Sequence, residues 1–547
     1  MRPGFVFGVA VASLVQTLRA GLKGRFWMSV PSMVRIGTVW VLMMLVGCGG
    51  GGGQSGGANS AMVLLDGRAS YDSVPNGAQG ALNYAATQSR PVRGAVVEVV
   101  DAASNNIVGS GSTNEQGNYS VQVPAQRTVS VRVLAQSQHA GPDGSWDVSV
   151  RDNTQGDAIY AMESPAFSTG TGASTRDVHA PSGWGGTRYS APRVAAPFAV
   201  LDTLYQAMSK VRAVAPAAAF PPLRVFWSPE NVPAAGRVAL GQIGTTSYSS
   251  DASGPTIYLL GKENVDTDEY DASVIAHEWG HYYAHAFSRD DSPGGSHGFN
   301  ELLDMRLAFS EGWGNAWSGM ALERSRYTDS IGPGQGAGTD LDLASGGGAG
   351  AGWYAEDSVQ TGVWRLYGLH GFAPIHQALS GPLRSTPAVT SIHSFAAAYA
   401  AVLPAGQSSL ASALVAEGIS GVTNDPWAAN ESNAGNLPAV LPLYKRASVG
   451  APVSACVSNT NGRYNKLGSF VYLRYSVATA RNYQITVTGP ANADPDFSVF
   501  AAGRIASANG PGASEMATVS LPAGEVVVAL NDGNDSSSST CFQLNIQ

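Results

Sequence analysis

Five residues, His277-Glu278-Trp279-Gly280-His281, constrain this chain more than any other stretch. On a helix, two histidines four apart lie on one face. On that face both imidazoles can hold one zinc ion, with Glu278 beside it to activate a water. The flanks agree with a buried helix. Val274, Ile275 and Ala276 form an apolar lead-in, and Asp266, Thr267 and Asp268 supply N-cap and first-turn chemistry before it.

A catalytic zinc takes three protein ligands and leaves one position open. His285 continues the same face but sits about 12 Å along the axis from His277, too far for one ion on a straight helix. Asp304 is a second choice. Glu311 is the third, within Leu307-Ala308-Phe309-Ser310-Glu311-Gly312-Trp313-Gly314-Asn315-Ala316-Trp317, which reads as a second helix. A buried glutamate among Phe309, Trp313 and Trp317 is costly unless paired or metal-bound. Glu311 is favoured over Asp304 on its fit to a two-histidine, one-glutamate set. Asn315, one turn on, is placed to orient a ligand histidine.

His-Glu-x-x-His followed by a glutamate on a second helix resembles the gluzincin group of zinc peptidases, which includes thermolysin and the alanyl aminopeptidases. Ser310-Glu311-Gly312-Trp313 is similar to the Asn-Glu-Gly-Phe segment of the latter. The resemblance implies one zinc held by His277, His281 and Glu311, with Glu278 as general base. It also implies a transition-state stabiliser, for which Tyr354, Tyr367, His370 and His393 are available downstream. The chain departs from the group in spacing, with 29 residues between His281 and Glu311. The extra length holds Ser292-Pro293-Gly294-Gly295-Ser296-His297-Gly298, a loop expected to edge the cleft. It also lacks a Gly-x-Met-Glu-Asn strand, so an endopeptidase is expected. Glu356-Asp357 opens a further helix, its acidic start read as capping.

The N-terminal region points to export. Ile36 to Val46 is an apolar run too short to span a bilayer and fits a signal-peptide core. Leu45-Val46-Gly47-Cys48 resembles the bacterial lipobox, which implies lipidation at Cys48. Gly49 to Gly57 follows as a flexible tether. The expected location is the bacterial cell envelope, anchored by lipid to the outer membrane or cell surface. With Cys48 so used, Cys456 and Cys541 remain as a pair, and a disulfide suits an oxidising compartment. The net charge of −8 gives no support for nucleic-acid binding.

The expected fold class is multidomain: an α+β zincin-like catalytic domain flanked by two all-β sandwiches. The expected boundaries are a lipoprotein signal peptide over 1–48, a Gly-rich linker over 49–60, a β-sandwich over 61–165, the catalytic region over 180–448 and a second sandwich over 451–547. Strands are read at 94–100, 119–123 and 128–134. Thr113-Asn114-Glu115-Gln116-Gly117-Asn118-Tyr119 resembles a turn of carboxypeptidase regulatory-like domains. In the catalytic region, Ala196 to Val211 reads as an amphipathic helix, and 223–227 and 256–260 as strands. The 256–260 strand is expected to be the edge that pairs with extended substrate. Gly332 to Gly352 is expected to be a mobile loop or lid. In the last region 470–475, 483–487 and 526–530 read as strands. Asp494-Pro495-Asp496-Phe497-Ser498-Val499-Phe500 resembles the Asp-Pro-Asp strand of pre-peptidase C-terminal domains.

The leading expectation is a zinc-dependent peptidase with protein or peptide substrates. Two others are compatible with the residues: a non-catalytic surface lipoprotein that binds through its β-sandwiches, and a metallohydrolase of non-peptide substrates.

Overall fold

The computed structural model describes residues 61–420, 424–534 and 538–547. Cys48, the signal peptide and the Gly-rich linker lie outside the described residues. The described chain is β-rich, with six sheets and a smaller set of helices.

Alternation of apolar and polar residues builds the first sheets. In Asn118–Pro124 the side chains of Tyr119, Val121 and Val123 are buried while Asn118, Ser120 and Gln122 are exposed, as one buried face requires. This strand lies antiparallel to Met62–Ser73. Val96–Asp101 and Thr128–Leu134 form the centre of a second sheet, giving a sandwich-like pair.

The hairpin Gln136–Gly141 and Gly144–Asp152 falls inside the expected first sandwich, yet it joins a third sheet. There Gly144–Asp152 pairs in parallel with Leu223–Trp227, which pairs in parallel with Gly254–Leu259. Its order ends with Ser247–Asp251, antiparallel to Gly254–Leu259. The 256–260 strand is therefore interior, and Ser247–Asp251 is the edge. The cause is the turn at Ser253-Gly254, where Gly254 at φ +97° folds the chain back on itself.

Four of the helices in the middle of the chain position the site: α1 (Ala196–Arg212), α2 (Ala272–Phe287), α3 (Met305–Leu322) and α4 (Glu356–His370). Every residue of α3 from Met305 to Ala321 is buried, because α1, α2 and α4 all pack on it. Its small residues permit this. A Cβ on Gly280 of α2 would lie 3.1 Å from the Gly314 Cα, and one on Gly312 would lie 2.6 Å from the Glu356 carbonyl oxygen. Around the α2–α3 crossing, the Trp279 and Trp317 rings stack at 5.1 Å and Trp313 Nε1 donates to the Gly280 carbonyl at 2.9 Å. Aromatic area of this kind dominates core energetics.

Two expectations here need correction. Asp266 and Asp268 do not cap α2; its N-cap is Asp271, and Asp266–Thr267 is a short strand. The Gly332–Gly352 segment is not a structureless lid. Its Ala337–Asp342 portion is a strand paired along its length with Arg326–Ile331, since backbone pairing needs no apolar side chains.

The C-terminal region is a sandwich of two antiparallel-rich sheets. One is centred on Phe470–Val477, Gly524–Asp532 and Pro495–Phe500, the other on Ser539–Ile546 and Arg481–Thr488. It has its own core, including Leu473, Tyr475, Ile485, Val499 and Leu544. A disulfide joins Cys456 to Cys541 across the adjacent strands Val453–Ser458 and Ser539–Ile546. Among the described residues no helix is long and apolar enough to cross a membrane.

Candidate metal centre

The crossing of α2 and α3 brings His277, His281 and Glu311 together. His277 Nε2 lies 3.1 Å from Glu311 Oε2 and 3.1 Å from His281 Nε2, and His281 Nε2 lies 3.4 Å from the same Glu311 oxygen. All three side chains are largely buried, with 9%, 13% and 10% exposure respectively.

The partners of the other ring nitrogens decide the tautomers. His277 Nδ1 faces Asn315 Oδ1 at 2.9 Å; a carbonyl oxygen only accepts, so Nδ1 carries the hydrogen. Ser310 Oγ donates to Asp290 Oδ2 at 2.6 Å, so it accepts from His281 Nδ1 at 3.2 Å. When neutral, both rings thus present an Nε2 lone pair to the Glu311 carboxylate. Three acceptors with no hydrogen among them repel unless a cation or proton lies between. The charge balance agrees. Burial by itself depresses His281, but Glu311, then Glu278 and Asp290, hold it up at about 10. Glu311 is buried, yet His281, His277 and His297 keep its carboxyl well below the usual range. Positive charge is therefore favoured here, and the residues fit a zinc ion by both donor set and spacing.

Glu278 lies on α2 next to His277 and is partly exposed. Among the described residues, no protein group hydrogen-bonds its carboxylate. Tyr327 packs edge-on against His277 with ring centroids 6.2 Å apart. Burial, then Asp329 and Glu278, keep its phenol protonated.

The remaining sequence candidates sit elsewhere. Asp304 is the N-cap of α3: it accepts from Arg306 N, pairs with Arg306 Nε at 2.9 Å and accepts from Tyr472 Oη at 2.5 Å. His285 is exposed, 3.5 Å from Ser250 Oγ. Tyr354 donates to Asn433 Oδ1 at 3.0 Å, Tyr367 donates to Glu323 Oε2 at 2.8 Å, and His393 Nε2 donates to Glu431 Oε2 at 2.8 Å. His370 ends α4 near Gly406, with its Nε2 buried and unbonded. None of these partners belongs to the histidine–glutamate group.

Two residues were not assigned roles by sequence reasoning. His297 Nε2 is 3.3 Å from Glu311 Oε2, and its Nδ1 donates to Glu356 Oε2 at 2.8 Å. Burial opposes the charge on His297, but Glu356 and Glu311 raise it to about 9. Glu356 is thus more than a helix cap: it is 3% exposed and holds a histidine. The signal available was His297 itself, within a glycine-rich insertion between the motif and Glu311. Tyr327 gave no sequence signal, because only the folding of its strand against α2 brings it to His277.

Gly314 is a sensitive point. A Cβ there would lie 2.8 Å from His277 Cε1 and 2.9 Å from Nδ1. Gly314→Ala is expected to push the imidazole aside and weaken zinc binding by about tenfold or more, on the scale of a lost orienting partner. The helix itself gains about 1 kcal/mol of propensity. Zinc titration alongside thermal melts checks this; unchanged zinc affinity contradicts it.

A separate acidic cluster joins the segment before α2 to the strand Arg326–Ile331. Carboxylate oxygens of Asp266, Asp268 and Asp329 lie within 4.8 Å of one another. Asp268 is 2% exposed, and Oδ1 of both Asp266 and Asp329 is buried with no hydrogen-bond partner. Burial, then Asp329, pushes Asp266 up to about 7; burial lifts Asp329 to about 6. Folded values above the unfolded value of about 3.9 mean that ionisation opposes folding. That opposition is absent below about pH 4, grows as pH rises toward 7 and is complete above it. Asp266→Asn is therefore expected to raise Tm by about 2 °C or more at pH 8 and to change little near pH 4, as calorimetry across that range checks.

No protein-family model matches this chain, and no curated protein matches it. Among solved structures it is similar to the pre-peptidase C-terminal domain of a collagenase from Bacillus anthracis. The identity is 11%, over 19% of this chain and 94% of that one, with a TM-score of 0.16. It is also similar to a periplasmic inhibitor of g-type lysozyme from Aeromonas hydrophila. There the identity is 14%, over 19% and 99% of the two chains, with a TM-score of 0.13. Similarity of this size says nothing about the chemistry of the chain.

Proposed function

We propose that the chain is an exported, lipid-anchored zinc peptidase of gluzincin type, with His277, His281 and Glu311 as ligands and Glu278 as general base. One observation carries the reading: three acceptor atoms meet at 3.1, 3.1 and 3.4 Å, with both imidazoles turned so that Nε2 is free to coordinate. A tetrahedral zinc with bonds of about 2.0–2.1 Å sets its ligand atoms about 3.3 Å apart.

Zinc, when bound, supplies a Lewis acid that acidifies water and polarises a carbonyl. The rest falls to the chain. Glu278 takes the proton of the attacking water and returns it to the leaving amine. Tyr327, a neutral phenol beside His277, is assigned to the carbonyl oxygen as it gains charge. Asn315 and Ser310 hold the two imidazoles in register. The edge strand Ser247–Asp251 packs along α2 and offers unpaired backbone groups to an extended peptide, which favours a polypeptide substrate. The lipobox-like Leu45-Val46-Gly47-Cys48 and the Cys456–Cys541 disulfide support a location in the cell envelope.

The test is hydrolysis of unfolded casein by the purified chain. Activity lost to a chelator and restored by about one equivalent of zinc is expected. Absence of hydrolysis by protein carrying one zinc contradicts a peptidase.

A further inference from the structure

The loop between α2 and α3 carries a glycine-rich stretch with little apolar surface to fix it. Ser292-Pro293-Gly294-Gly295-Ser296-His297-Gly298 contains no large apolar side chain to bury. Its anchors come instead from residues some 170 positions later, at the start of the C-terminal β-domain. Asn465 Nδ2 donates to the carbonyl oxygens of Gly294 at 2.9 Å and Ser296 at 3.0 Å. Lys466 Nζ donates to the Ser296 carbonyl at 2.7 Å and to Glu301 Oε2 at 2.9 Å. Backbone bonds extend the contact, from Asp304 N to the Asn465 carbonyl at 2.9 Å and from Leu467 N to the Leu302 carbonyl at 2.8 Å. Asn465 and Lys466 are themselves only 5% and 9% exposed. Gly295, at φ +97°, approaches so closely that a Cβ would lie 2.8 Å from Asn465 Nδ2.

The held loop delivers one chemically significant side chain. Each ring nitrogen of His297 faces a carboxylate: Nδ1 meets Glu356 Oε2 at 2.8 Å and Nε2 meets Glu311 Oε2 at 3.3 Å. The Glu311 oxygen it meets is the one that also faces His277 and His281. Two carboxylates bridged by one imidazole leave the ring no freedom to turn. A charged partner held against a ligating oxygen from outside restrains how the carboxylate is turned, and such outer partners set metal affinity.

We infer that His297 is a positioning residue for Glu311, and that the C-terminal β-domain completes the metal centre by clamping the His297 loop through Asn465 and Lys466. This rests on the zinc reading above. It makes the C-terminal domain a working part of the site rather than an appended module. Metal affinity then depends on a contact that touches no ligand.

The experiment uses the full chain and three variants: His297→Ala, His297→Gln and Asn465→Ala. Zinc affinity is read by competition with a chromophoric chelator, the visible spectrum by cobalt substitution, and folding by Tm of the metal-free forms. His297→Ala and Asn465→Ala are each expected to weaken zinc binding by about 10–100-fold and to shift the cobalt bands. His297→Gln, which keeps an N–H for Glu311, is expected to recover most of the affinity. Zinc affinity within twofold of the parent for His297→Ala overturns the inference. So does a loss matched by an equal fall in metal-free Tm and not recovered by glutamine, which marks a folding defect. X-ray absorption showing one fewer nitrogen ligand in His297→Ala also overturns it, by making His297 a ligand. A parent chain that binds no zinc fails at the earlier step and removes both readings; a zinc-binding parent with an indifferent His297 removes only this one.

Discussion

Glu278→Gln is expected to lower kcat/KM on an unfolded protein substrate by about 1,000-fold while leaving the zinc content at about one. General-base catalysis by a positioned carboxylate is worth about 10²–10⁴-fold. Glutamine keeps the volume and the hydrogen-bonding shape of the side chain but has no basic oxygen. Because no protein group among the described residues hydrogen-bonds Glu278, the substitution breaks no structural contact. Its effect therefore reads chemistry rather than folding. Activity within a few-fold of the parent contradicts the assignment and points to a base elsewhere.

His281→Ala is expected to remove the metal. His281 Nε2 is 3.1 Å from His277 Nε2 and 3.4 Å from Glu311 Oε2, so it forms two edges of the ligand triangle. Without it only two of the proposed ligands remain. The loss should exceed the 10–100-fold typical of removing an outer hydrogen-bonding partner. It should also leave Glu311, 10% exposed, without the imidazole that most lowers its pKa. The readout is thermal. A ligand that binds only the folded state raises Tm with concentration. The parent chain should gain several degrees on adding zinc, and His281→Ala should gain none. An equal gain in both contradicts the site.

Local pattern carried the reading of most elements. The strand over 223–227 matches the observed Leu223–Trp227 residue for residue. The α1 and α4 helices follow from helical period, the strand at 483–487 from alternation, and the strands at 470–475 and 526–530 from short apolar, β-branched or aromatic runs. What failed was long-range. Nothing in 256–260 reveals that Ser247–Asp251 will cover its free edge. Nothing in the glycines of 332–352 reveals a partner strand at Arg326–Ile331. Glu356 looked like a cap because an acidic first turn is sufficient locally; its bond to His297 links residues 59 apart in sequence. The motif histidines were legible from helix geometry, and Glu311 from the cost of burying a lone carboxylate and its fit to a two-histidine, one-glutamate set. The clamp on the His297 loop was not, since it joins two regions that read as separate domains.

The most direct test of the central claim is a crystal structure of the zinc-containing chain with anomalous data at the zinc edge. The account predicts one peak at the α2–α3 crossing, about 2 Å from His277 Nε2, His281 Nε2 and a Glu311 carboxylate oxygen. A zinc-containing crystal with no peak there, or with a peak whose neighbours exclude Glu311, contradicts it.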